Sequence, residues 1–159
     1  MYEPREDSFL LQKAVKGIGV KRALDIGTGS GIIAKELMKN CGHVLATDIE
    51  DVKVEGIDFV KSDLFENVKG KFDLITWNPP YLPGNEFPEL DCGNGGIILK
   101  FFREAKKHLN PGGKIMVVLS SLTPVGESEI GAMGYRTRVV AREKLDFEEL
   151  RVVEAESKR

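Results

Sequence analysis

Apolar positions along this chain alternate between a helical spacing and a spacing of two, and the changes of rhythm divide it into elements. Phe9, Leu10, Ala14 and Val15 share one face of a predicted first helix, with Asp7 or Ser8 near its N-cap. Arg22–Ile26 is a short buried strand, Gly27–Gly31 a glycine loop, and Ile32–Lys39 a helix ending near Asn40 and Gly42. His43–Asp48, Gly56–Lys61 and Phe72–Trp77 are the next three strands. Gly96–Leu109 is predicted as a helix closed by Asn110-Pro111-Gly112-Gly113, and Lys114–Ser120 as a very apolar fifth strand. A short helix over Glu127–Met133 and two strands, Tyr135–Arg142 and Leu150–Ala155, complete the pattern.

Strands alternating with helices imply an α/β fold, a mostly parallel sheet with helices on both faces. The last two strands have no room for a long crossover, so an antiparallel end is expected. The stretch between Asp48 and Ile57 is also short. A parallel crossover needs about a dozen residues. A reduced or missing helix is expected there, with thinner cover on that face.

Composition narrows the picture a little. The 159 residues suit one domain, expected to span 1–159. Lys plus Arg number 23 against 25 Asp plus Glu, a balance that argues against a broad basic surface for nucleic acid. The run Arg136, Arg138, Arg142 and Lys144 is either a small basic patch or a solvated strand face. Cys41 and Cys92 are too few for a disulfide framework, and neither has a metal-ligand neighbour, so no metal is expected. The opening residues lack the basic and apolar stretches of a secretion signal, and no apolar run reaches membrane-spanning length. The expected location is the cytoplasm.

Four segments carry candidate chemistry. Asp25-Ile26-Gly27-Thr28-Gly29-Ser30-Gly31 follows a buried strand and opens a helix. Its glycines let the backbone approach a ligand, and Asp25 suits a ligand bearing an ammonium group. The spacing is G-x-G-x-G rather than the dinucleotide fingerprint G-x-G-x-x-G. Asp48, at the end of the second strand, is placed to accept hydrogen bonds from ribose hydroxyls, although a turn aspartate would look the same. Asp63 can accept from the exocyclic amine of adenine with Leu64 or Phe65 packing on the ring; a helix-capping aspartate is the alternative.

Asn78-Pro79-Pro80-Tyr81 is the most specific segment. Its two prolines stiffen the chain and fix the directions of the carbonyl oxygens. The Asn78 side-chain oxygen and the Pro79 carbonyl can accept both hydrogens of a planar –NH2 group, which orients its lone pair, while Tyr81 stacks on the target. A strand-ending turn and an adaptor-domain ligand are the competing readings.

With these four segments in this order, the sequence resembles class I S-adenosylmethionine-dependent methyltransferases over nearly its whole length. It is most similar to the HemK-related glutamine methyltransferases of translation release factors, in their archaeal and eukaryotic branch. Tyr2-Glu3-Pro4-Arg5-Glu6-Asp7-Ser8-Phe9-Leu10-Leu11 and Asp91-Cys92-Gly93-Asn94-Gly95-Gly96 carry that narrower likeness. The resemblance implies a Rossmann-like fold, a seven-stranded, mostly parallel sheet with an antiparallel last strand, and residues 1–15 as a segment capping the cofactor.

It also implies roles. Ser8 would reach S-adenosyl-L-methionine from the cap, Asp25, Gly27 and Gly29 would hold its amino-acid end, Asp48 its ribose, and Asp63 with Leu64 its adenine. Asn78 and Pro79, in the catalytic segment with Pro80 and Tyr81, would hold the target amide, the glutamine of a Gly-Gly-Gln motif in a class 1 release factor, and Asn78 would also touch the cofactor. The bacterial relatives' N-terminal helical domain is not expected here, whereas a small zinc-binding activator subunit, paired with a sheet edge, is. The short segment after Asp48 departs from the family pattern. Exocyclic-amine methylation of adenine in DNA or RNA uses the same tetrapeptide and is one alternative. An inactive, cofactor-binding partner subunit is another.

Overall fold

A computed structural model describes residues 4–80 and 95–158. Its elements are α1 (Glu6–Val15), β1 (Arg22–Ile26), α2 (Ile32–Met38), β2 (His43–Asp48), β3 (Asp58–Lys61), β4 (Phe72–Trp77), α3 (Gly96–Ala105), β5 (Leu109–Ser120), α4 (Glu127–Ala132), β6 (Tyr135–Lys144) and β7 (Glu149–Ser157). The strands form one seven-stranded sheet in the order β3-β2-β1-β4-β5-β7-β6. β3, β2, β1, β4 and β5 pair in parallel, while β7 lies antiparallel between β5 and β6. The expected Rossmann-like sheet with an antiparallel last strand is therefore present.

The period of two sorts the strand side chains to opposite faces. Ala23, Val44, Ala46, Leu74, Met116, Val118 and Val152 pack beneath α1 and α2. Leu24, Ile75, Trp77, Ile115, Val117, Leu119 and Val153 pack against α3 and its neighbours. α3 turns Ile98, Phe101, Phe102 and Ala105 inward, a spacing of three to four that makes one apolar stripe. Phe101 stacks on Trp77 at 4.2 Å between centroids and meets Phe65 and Phe102 at 5.3 Å, and Phe102 meets Tyr135. Burying one such ring contributes about 2–3 kcal/mol. This aromatic chain anchors the end of β4 from below.

Three local expectations are corrected. The helix expected over Gly96–Leu109 stops at Ala105, and a 3-10 turn over Lys106–His108 leads into β5. Leu109 already pairs with Phe72, and the next matched pair is Lys114 with Leu74, so Asn110-Pro111-Gly112-Gly113 forms a bulge inside a strand. Gly112 takes φ +77°, and the Asn110 side chain donates to Asp73 at 3.0 Å. Neither Asp7 nor Ser8 is the N-cap residue of α1, although Asp7 Oδ1 accepts from the first-turn Ser8 N at 2.8 Å. The N-cap is Arg5, and both predicted caps are buried in the first turn.

The stretch from Ile49 to Ile57 has no helix, as its length requires. Val54 alone tucks inward, 5% exposed, with its methyl groups filling the space over Gly31. The two sheet edges consequently differ. β6 is ten residues long, interrupted by a shift between Val139 and Ala141, and lined with charge. β3 is four residues long and only partly covered. Such bulges and charges discourage strand addition at β6.

Candidate functional site

The carboxyl ends of β1, β2 and β4 converge on the glycine loop, the expected crevice of an open α/β sheet. The loop bends back because Gly27, Gly29 and Gly31 take φ of +66°, +53° and +84°, which side chains rarely tolerate. Two bonds tie it to β2. Thr28 N donates to the Thr47 carbonyl at 2.7 Å, and Gly29 N donates to Asp48 Oδ2 at 2.9 Å. A Cβ at Gly31 would stand 2.7 Å from Val54 Cγ1, so that glycine is required both by its φ and by the space.

Asp25 is the electrostatic centre of the loop. It is 2% exposed and accepts from Thr28 Oγ1 at 2.8 Å and from Thr76 Oγ1 at 2.7 Å. Burial pushes its carboxyl up to about 7, against the lowering effect of those two hydroxyls, and the nearby Asp48 charge adds to the rise. A buried acid poised in this way is ready to ionise when a cation arrives. Asp48 is half-buried, and its other oxygen accepts from Glu50 N at 3.0 Å. It therefore acts as a turn aspartate, while its carboxylate retains lone pairs for a ligand.

Beyond Asp48, Ile49 is 65% exposed and borders a hollow with Lys61, Ser62, Asp63 and Asn67. Asp63 is exposed there, and Leu64 is buried with φ +51°, the sole non-glycine at positive φ among the described residues. Ser62 Oγ holds this bend by donating to the Leu64 carbonyl at 2.9 Å and accepting from Asn67 N at 2.9 Å.

Asn78 follows β4 directly. Its Nδ2 donates to Ser8 Oγ over a long 3.5 Å, and its Oδ1 is buried with no partner among the described residues. A buried carbonyl oxygen left unpaired costs about 1–3 kcal/mol, so this oxygen is open to a ligand donor; Thr47 Oγ1 and Arg22 Nε are likewise buried without a partner among the described residues. Pro79 is buried and Pro80 exposed. Tyr81, Tyr2 and the segment Asp91–Asn94 lie outside the described residues. Ser8, Asp25, Gly27, Gly29, Asp48 and Asn78 thus come to one edge of the sheet, and Asp63 lines the hollow on its β3 side, while the Leu64 side chain is buried in the core beside it. The residue set fits a ligand with a cationic amino-acid end, a ribose and a planar base.

Sequence reasoning missed three contributors. Thr28 and Thr76 brace Asp25, and Ile49 supplies apolar surface beside Asp48. An exposed isoleucine directly after a strand-ending acid was a usable signal; the pairing of Thr76 with Asp25 needed the register of β1 with β4. The basic run of β6 is not a bare patch. Arg136 pairs with Glu156, Arg138 with Glu154 and Arg142 with Glu149.

Comparison with known proteins agrees with this geometry. The family model described as Methyltransferase small domain matches residues 6–145. A Methanocaldococcus jannaschii protein provisionally named a protein N5-glutamine methyltransferase is 37% identical over 181 residues, covering 98% of this chain and 91% of that one. The Haemophilus influenzae ribosomal RNA small subunit methyltransferase C is 30% identical over 119 residues, and the match spans only 34% of its length. Among solved structures, the E. cuniculi Mtq2–Trm112 complex, responsible for methylation of the eRF1 translation termination factor, superposes with a TM-score of 0.80 at 26% identity. That match covers 99% of this chain and 98% of that one.

Proposed function

This chain belongs to the methyltransferase small domain family, and from that premise we propose that it methylates the side-chain amide nitrogen of a glutamine in a translation release factor, using S-adenosyl-L-methionine. The buried, unpaired Asn78 Oδ1 carries the reading. An amide –NH2 group offers two hydrogens in one plane. Asn78 Oδ1 and the Pro79 carbonyl accept them, which holds the nitrogen with its lone pair directed at the methyl donor. The bound cofactor supplies an activated methyl group on a sulfonium. Asp25 ionises to hold the ammonium end, Asp48 takes the ribose hydroxyls, and Asp63 with Leu64 and Ile49 frames the base. The nitrogen forms its bond to carbon before it loses a proton, so the site needs orientation and preorganised acceptors rather than a strong base.

The likeness to the Mtq2–Trm112 pair supports a release factor as substrate and a small partner subunit beside this chain. The β3 edge is the surface left open for such a partner, and zinc in that partner is the finer expectation. Base methylation is the weaker reading, because the arginines of β6 are already matched by glutamates and leave little free positive charge for a phosphate backbone. The deciding experiment incubates the protein, with and without a candidate partner, with labelled S-adenosyl-L-methionine and either a release factor or ribosomal RNA. Mass spectrometry should find one methyl on the glutamine of Gly-Gly-Gln. Label confined to RNA would overturn the reading.

A further inference from the structure

Two large apolar side chains are exposed on neighbouring, hydrogen-bonded turns at the same edge of the sheet as Asn78. Phe147, at the turn between β6 and β7, is 92% exposed, and Leu122, after β5, is 71% exposed. Neither turn is loosely held. Leu145 N donates to the Glu148 carbonyl at 2.8 Å and closes the first. Thr123 N donates to the Ser120 carbonyl at 2.9 Å, and Leu122 N to Ser120 Oγ at 3.0 Å, closing the second. The turns are joined to each other. Ser121 N donates to the Glu149 carbonyl at 2.9 Å, Glu149 N donates back to Ser121 Oγ at 2.9 Å, and Ser120 Oγ donates to Glu148.

The register locates this pair relative to the acceptor site. Trp77 is level with Val117, so Asn78 is level with Val118, and Ser120 stands opposite Leu150. At strand spacings of about 4.8 Å, β7 is roughly 10 Å to the side of β4, and Ser120 rises about 7 Å beyond Asn78. Phe147 and Leu122 therefore stand on a rim beside the amide-holding oxygen, within reach of the residues that flank a bound glutamine. The surroundings are acidic: Glu143, Asp146, Glu148 and Glu149 outnumber Arg142 and Lys144, and Arg142 is already paired with Glu149. An apolar pair ringed by net negative charge repels a phosphate backbone and favours a protein segment with an apolar anchor and basic flanks.

We propose that the β6–β7 and β5–α4 turns form a docking surface for the substrate protein, taking an apolar side chain and basic residues from the segment beside the methyl-accepting glutamine. The proposal rests on the glutamine reading above. Docking away from the reacting atoms shows in KM, not in the chemical step. The test is the doubly substituted Phe147→Asp, Leu122→Asp protein, with partner if one is needed, assayed against intact release factor. KM for the release factor should rise at least tenfold, with kcat and the cofactor Kd within about twofold of the unsubstituted protein. Phe147→Leu should keep most of the affinity, and Met38→Asp, on the far end of α2, should leave KM unchanged. An unchanged KM in the double variant, or a fall in kcat alone, overturns the docking surface while leaving the glutamine reading intact. Absence of release-factor methylation by the unsubstituted protein overturns both.

Discussion

At the carboxyl edge of the sheet, the acids of the β1–β2 side and the amide that ends β4 are held differently. Around the glycine loop every acid that faces the crevice is already held by the protein. Asp25 takes two threonine hydroxyls, and Asp48 takes the backbone N–H groups of Gly29 and Glu50. At the end of β4, Asn78 has one long bond to Ser8 and a buried oxygen with no described partner. The acids of the first side are held before a ligand arrives, although Thr47 Oγ1 on β2 is buried with no described partner; on the second side it is the acceptor oxygen of Asn78 that is left open. A satisfied network supports both the fold and binding, so damage there costs stability. An orphaned acceptor supports turnover, so its loss costs rate and not stability.

The sharpest way to break that contrast is Asn78→Ala. Removing one preorganised polar group from such a site costs about 100- to 1000-fold in kcat. Cofactor affinity should stay within about threefold, and the melting temperature should hold or rise, since a buried unpaired carbonyl disappears. Calorimetry and turnover on the same preparation decide it. A variant that loses cofactor binding and stability together would place Asn78 in the satisfied network.

The segments that make up the two sides were legible in the sequence, for definite reasons, but not which of their polar groups are already bonded. The glycine spacing, the strand-ending Asp48 and the proline-stiffened segment after Trp77 are local, so they could be read without the fold. So could the missing helix after Asp48, which is a matter of length. The end of α3 was not legible. Asn110-Pro111-Gly112-Gly113 is equally good as a helix stop or as a bulge, and only the pairing of Leu109 with Phe72 selects the bulge. The bracing of Asp25 by Thr76 and the neutralisation of Arg136 and Arg138 by Glu156 and Glu154 depend on strand register, which joins residues far apart in the chain.

The satisfied side makes a prediction in pH. Folding raises the Asp25 carboxyl to about 7 from 3.8, so the folded protein keeps a proton that the unfolded chain releases. Stability conferred on the free protein is full below the unfolded value and is lost as pH rises towards about 7. A cationic ligand needs the ionised form. Affinity for S-adenosylhomocysteine, whose amino-acid end carries the same ammonium, should therefore rise with pH up to about 7 and then level. The slope should approach tenfold per pH unit at the acidic end. Titration calorimetry between pH 5.5 and 8.5 reads this. Asp25→Asn should bind more weakly and remove the slope assigned to Asp25. A slope that survives the substitution would assign the proton to another group.

The smallest predicted effect probes the join between the two sides. Ser8 lies on α1, which packs against α2 and lies over β5, β6 and β7, and its hydroxyl accepts from Asn78 Nδ2 at 3.5 Å. So long a bond contributes little to folding, and Ser8→Ala should leave the melting temperature within a degree or two. The role to be tested is that it fixes which way the Asn78 amide faces, with the oxygen rather than the nitrogen towards the substrate. Losing that bias should lower kcat by about two- to tenfold, the net worth of one neutral hydrogen bond. Because the effect passes through Asn78, it should vanish in an Asn78→Ala background, where no amide remains to orient. Equal losses in both backgrounds would mean that Ser8 touches the cofactor directly. The double-mutant cycle separates these outcomes, because residues acting through one another are strongly non-additive.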